Sequence, residues 1–174
     1  TSRFDAKTNA DIITYTSEKL PPMRQEYRSK GPSYLYPHLL ILPKSYQDDG
    51  QEVKVFQNTQ DLYAWYKSLI EQMNNDKEPI IALSDKLTKN LQTDEEKIKA
   101  IYYWVQDNIR YIAFEDGIAG FKPDESQNVL NKKYGDCKGM ANLTKELLRA
   151  AGFEAHLTWI GTKRLAYDYS TPCL

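Results

Sequence analysis

Cysteine is nearly missing from this sequence, with only Cys137 and Cys173 among 174 residues. That excludes a disulfide framework. Histidine is as scarce, and Cys137, Cys173, His38 and His156 show none of the paired spacings of a zinc site. Neither a metal nor another cofactor is expected. An excess of charge of one sign is absent too. Lys and Arg total 23 against 24 Asp and Glu, for a formal net charge of -1. A general nucleic-acid binder or polybasic membrane binder needs surplus cations, so neither is expected. No apolar run is long enough to span a bilayer; the best stretch, 39–42, lies between Pro37 and Pro43. There is no repeat and no low-complexity tract. The first residue is Thr1 rather than Met, with no signal peptide, and residues 170–174 carry no helix stop or polar tail. These ends predict a piece of a longer or processed chain and leave the compartment unread.

What is present suits a folded domain, or one domain plus part of another. Hydrophobic residues make up 41% and charged residues 27%, enough apolar material for a core. Residues 1–57 favour strands. The β-branched and aromatic run 11–17 predicts one, and 33–43 predicts an edge strand or extended segment because Pro37 interrupts it. Asp48-Asp49-Gly50 marks a turn before a short strand at 53–56. From Thr59 the period becomes helical. Leu62, Trp65, Tyr66, Leu69, Ile70 and Met73 make one stripe, and Ile80, Leu83, Leu87 and Leu91 a second. Thr93 with Glu96 is a capping box, followed by the stripe Ile98, Ile101, Tyr102, Val105 and Ile109. A short helical turn is expected at 126–131. The last helix starts at about Cys137, turns Met140, Leu143, Leu147, Leu148 and Ala151 inward, and stops at Gly152. Residues 153–160 read as a buried strand.

Cys137 is the candidate centre of chemistry. A tight glycine-containing turn delivers it to the first turn of an apolar-faced helix. A helix N-terminus carries partial positive charge and unpaired N–H groups, which favour a thiolate and can hold an oxyanion, the Cys137 amide being the first donor. Lys132, Lys133 and Lys138 add positive charge nearby. The alternative is a small hydrophobe packed in a core, the usual role of free cysteine. His38 and His156 read as structural or surface residues, with His156 the second choice as a base. Asp136 reads as a helix cap, Trp65 and Trp104 as core, and the acidic pair Glu115-Asp116 offers too few oxygens for a metal.

The run Tyr134-Gly135-Asp136-Cys137-Lys138-Gly139, then Ala141, Leu143, Leu147, Leu148, Ala151 and Gly152 and a strand, resembles the transglutaminase-like superfamily. Residues 100–111, a Gly/Pro loop and Asn128-Val129-Leu130 fit as well, so the likeness covers about 95–162. Residues 1–57 are similar to the end of a β-rich domain of unknown function found in bacterial exported proteins. Export to the periplasm is suggested by this likeness alone. The resemblance implies an α+β fold, with a papain-like core of helices packed on an antiparallel sheet, incomplete here, across 58–174 after a β-rich segment 1–57. It implies a Cys-His-Asp triad with Cys137 as nucleophile and the histidine and aspartate beyond Leu174. Tyr111 is the candidate second oxyanion donor.

The function so implied is cysteine-dependent acyl transfer or amide and peptide hydrolysis through a thioester on Cys137. The substrate would be a protein or peptide amide. The longer parent would be the active form and this chain alone inert. The alternative is a catalytically inactive interaction or scaffold module of a larger exported protein. An unpaired strand at 153–160 would present an open edge, predicting a strand-mediated or swapped dimer, or a separate chain that completes the sheet.

Overall fold

The computed structural model describes residues 1–20, 22, 27 and 29–161. Cys173 lies outside the described residues, as does the C-terminal tail. The described chain forms two compact units, Thr1–Leu39 (with Gly161) and Leu40–Ile160.

The first unit holds an antiparallel hairpin of β1 (Ser2–Asp5) and β2 (Ala10–Ile13), with Ser2 opposite Ile13 and Asp5 opposite Ala10. Asp5 shapes its loop, its carboxylate accepting from the Lys7 amide at 3.2 Å and the Thr8 hydroxyl at 3.0 Å. The strand read at 11–17 therefore ends early, at Ile13. The extended segment read at 33–43 begins instead as one helical turn, α1 (Pro32–Leu35), with Pro32 in its first turn, and runs on without a ladder.

The second unit opens with the antiparallel hairpin β3 (Ser45–Asp48) and β4 (Gln51–Lys54). Asp49 and Gly50 hold φ of 46° and 77°, the two-residue turn whose twist matches paired strands. Next come α2 (Thr59–Glu71), α3 (Glu78–Thr88) and α4 (Asp94–Asn108). Asn58 caps α2, and Thr93 with Glu96 completes the capping box on α4. Then follow β5 (Arg110–Tyr111), a 3-10 turn at Gly117–Gly120, α5 (Ser126–Lys132), β6 (Tyr134–Gly135) and α6 (Cys137–Ala150). The class is α+β.

The core is Ile80 from α3, Ile101 and Val105 from α4, Ile109, Val129 from α5, and Leu143 and Leu147 from α6. Each such side chain contributes about 1.5–3 kcal/mol when fully buried. On α4 the apolar stripe is narrower than its sequence: Ile98 and Tyr102 are exposed. Residues at i, i+4 and i+8 (Ile101, Val105, Ile109) meet α6, while Tyr102 faces an open groove. Polar groups complete the packing. The Ser84 hydroxyl donates to the Leu147 carbonyl at 3.0 Å. Asn142, fully buried, donates to Asn75 Oδ1 and to the Asp124 carbonyl, both at 3.0 Å, and Asn75 Oδ1 also accepts from the Ser126 amide at 2.9 Å. These bonds tie the 74–76 turn to the start of α5 and to the second turn of α6.

Two readings change. The ladder beside α6 is a parallel pair, two residues on each strand. Residues 153–160 are extended but join no ladder among the described residues, so the expected buried strand is corrected. Phe153, Ala155 and Leu157 are half-buried while Glu154, His156 and Thr158 are exposed; the alternation is that of a strand, but no partner strand among the described residues is hydrogen-bonded to it.

Candidate active site

Position comes from the short parallel pair. The Arg110 amide donates to the Lys133 carbonyl at 2.9 Å and the Ile112 amide to the Gly135 carbonyl at 3.0 Å, setting Tyr111 opposite Gly135. Lys133 closes α5 in the left-handed region, φ 61°, and so turns the chain into β6. Two residues beyond Gly135 stands Cys137, the first residue of α6, free and exposed.

The glycines of the Tyr-Gly-Asp-Cys-Lys-Gly run are needed for close approach. A Cβ on Gly135 would stand 3.1 Å from Val129 Cγ1, and one on Gly139 would stand 3.0 Å from Val129 Cγ2. The start of α6 therefore lies directly on α5. Asp136 caps it as expected: Oδ1 accepts from the Gly139 amide at 2.8 Å, and its carbonyl accepts from the Met140 amide at 2.9 Å. The Cys137 and Lys138 amides have no hydrogen-bond acceptor among the described residues, the arrangement an oxyanion pocket requires.

Tyr111 and Cys137 come together. The phenol is pushed above its ordinary value chiefly by the charge a Cys137 thiolate would carry, with lesser contributions from desolvation, from Glu115 and Asp136, and from a hydrogen bond with the Cys137 side chain. It remains protonated at neutral pH and able to donate. The sequence reading missed a second tyrosine. Tyr66, on α2, packs its ring against Trp159 with centroids 4.4 Å apart. Burial pushes the Tyr66 phenol up, Trp159 and Lys138 pull it down, and Cys137 adds to the rise. Helical spacing marked Tyr66 only as part of a core stripe, and nothing in that pattern pointed toward the sulfur.

The remaining candidates sit elsewhere. His156 Nε2 pairs with Glu154 Oε1 at 3.0 Å, and His156 lines a groove of about 840 Å³ between α4, α6 and residues 155–158. Tyr111 lines the same groove. His38, in the first unit, has its Nδ1 2.9 Å from the Tyr36 carbonyl. Trp65 packs between Phe56, tilted against it, and Phe121, edge-on, with centroids at 5.4 and 5.1 Å, and Trp104 carries the Lys133 ammonium 4.9 Å from its ring centre. Both are packing residues. Among the described residues no three His, Cys, Asp or Glu side chains gather as metal ligands, and no helix is long and apolar enough to cross a membrane.

Residues 81–164 match the sequence model of the Transglutaminase-like superfamily. No curated protein matches the chain. A crystal structure from Parabacteroides distasonis ATCC 8503, described as a "putative protease", is similar at 19% identity and a TM-score of 0.47, over 56% of this chain and 19% of that one. The chain thus spans about a fifth of that protein's length. The stretch 81–164, which holds both Tyr111 and Cys137, is a transglutaminase-like segment.

Proposed function

We propose that Cys137 is the nucleophile of a cysteine-dependent acyl transferase or amide hydrolase. The observation that carries the reading is an exposed sulfur on the first residue of α6, two residues beyond the Gly135 that pairs with Tyr111. In this reading the sulfur attacks a peptide or side-chain amide carbonyl. The Cys137 amide and the Tyr111 phenol donate to the oxyanion that forms. Collapse of the adduct breaks the C–N bond, and the amine or ammonia leaves with a proton from the general acid. A thioester remains, which water or a second amine resolves. The base and its orienting carboxylate would be a histidine and an aspartate C-terminal to Leu174, so the 174-residue chain alone would be inert toward amides. The edge at 153–160 would pair with those strands, or with another chain when they are lacking.

The test is turnover of peptide amides by the protein extended past Leu174. Activity should vanish in Cys137→Ala and fall roughly 10²- to 10³-fold in Tyr111→Phe, as for loss of one oxyanion donor. An extended protein that binds amides without turning them over would favour the scaffold role.

A further inference from the structure

The cap of α6 conflicts with the chemistry proposed for its neighbour. The Asp136 carboxylate fixes the helix start but adjoins a sulfur that must carry negative charge. Asp136 is 5% exposed, so water screens it little. Lys138 lies on the other side of the sulfur in sequence, and its ammonium is 2.5 Å from Asp136 Oδ2. The two side chains are only 13% and 6% exposed. The same ammonium is 3.4 Å from the Phe114 carbonyl, which anchors it to the loop after β5. One carboxylate oxygen therefore serves the Gly139 amide and the other serves the cation. Around the sulfur stand Asp136 and Lys138 from the start of α6, Tyr111 from β5 with Glu115 beyond it, and Tyr66 from α2.

We propose that Lys138 is a positioning residue of the thiol site: it neutralises the capping carboxylate, so that Asp136 holds the helix start without cancelling the field of α6 at Cys137. This inference rests on the reading of Cys137 as a nucleophile. A lysine in a first helical turn is ordinarily unfavourable against the macrodipole. Its near-burial against Asp136 is what gives it a use here.

The test is alkylation of Cys137 in the 174-residue chain, at neutral pH and low salt, by neutral iodoacetamide and by anionic iodoacetate, read by peptide mass. Lys138→Gln should slow iodoacetamide roughly tenfold, and iodoacetate more. Lys138→Arg should stay close to the parent. Asp136→Asn keeps an acceptor for the Gly139 amide while removing the charge. It should speed iodoacetate, and the double variant Asp136→Asn/Lys138→Gln should recover most of what Lys138→Gln lost. Unchanged rates in Lys138→Gln, or a double variant as slow as Lys138→Gln, would overturn the proposal, because a packing role would not be rescued by removing the opposite charge. If Lys138→Gln does not fold, Asp136→Asn decides: no gain with iodoacetate overturns the proposal. A parent sulfur no more reactive folded than in urea would overturn the nucleophile reading and this inference with it.

Discussion

Gly139→Ala should destabilise the protein although alanine is the better helix former. The propensity gain in a helix interior is about 1 kcal/mol, and less in a first turn. Against it, the new Cβ would lie 3.0 Å from Val129 Cγ2 and 3.5 Å from both Asp124 Cβ and Asp136 Oδ1. Carbon atoms prefer about 3.5–4.0 Å. Val129 is fully buried, so its methyl can give way only by pressing on its neighbours or by shifting α5 against α6. Overpacking of this kind costs about 1–3 kcal/mol, leaving a net loss of about 1 kcal/mol. Val129→Ala removes the clashing Cγ2 methyl at its own cavity cost, so the double variant should be more stable than the sum of the single losses by roughly 1–2 kcal/mol. Urea unfolding followed by circular dichroism measures all four corners of the cycle. A Gly139→Ala chain more stable than the parent, or an additive cycle, would refute the claim that the site is built by contact between α5 and α6.

Two other substitutions probe its supports. Asn142→Leu removes the donor shared by Asn75 and the Asp124 carbonyl; Asn75 Oδ1 keeps the Ser126 amide, but leaving the Asp124 carbonyl unpaired should cost about 1–3 kcal/mol in chemical denaturation. Thr93→Ala should cost about 1 kcal/mol by loss of the α4 cap. Hydrogen bonds from Thr93 hold the Glu96 carboxyl below its ordinary 4.5. That contribution is present above the unfolded value and lost as pH falls through the folded one, so the gap between Thr93→Ala and its parent should narrow in acid.

The helices and their caps were legible because their signals are local. Thr93 and Glu96, Asp136 before Cys137, and Gly152 at φ 90° act within one turn. The seat of Cys137 was legible for the same reason. Tyr111 followed from a resemblance alone, and its physical cause is the β5–β6 register, two residues per strand and too short for any alternation to show. The bond from Asn142 to Asn75 spans 67 residues, and the Tyr66–Trp159 contact joins α2 to the far end of the unit; neither leaves a periodic trace. The 153–160 segment was over-read because alternation reports which side chains face inward, not whether the backbone finds a partner.

The reactivity proposed for Cys137 at the start of α6 is read by its iodoacetamide rate at neutral pH, folded against urea-unfolded, with Cys173 mapped alongside. Cys137 should react faster in the folded chain than in the unfolded one. A folded rate equal to or below the unfolded rate would contradict it.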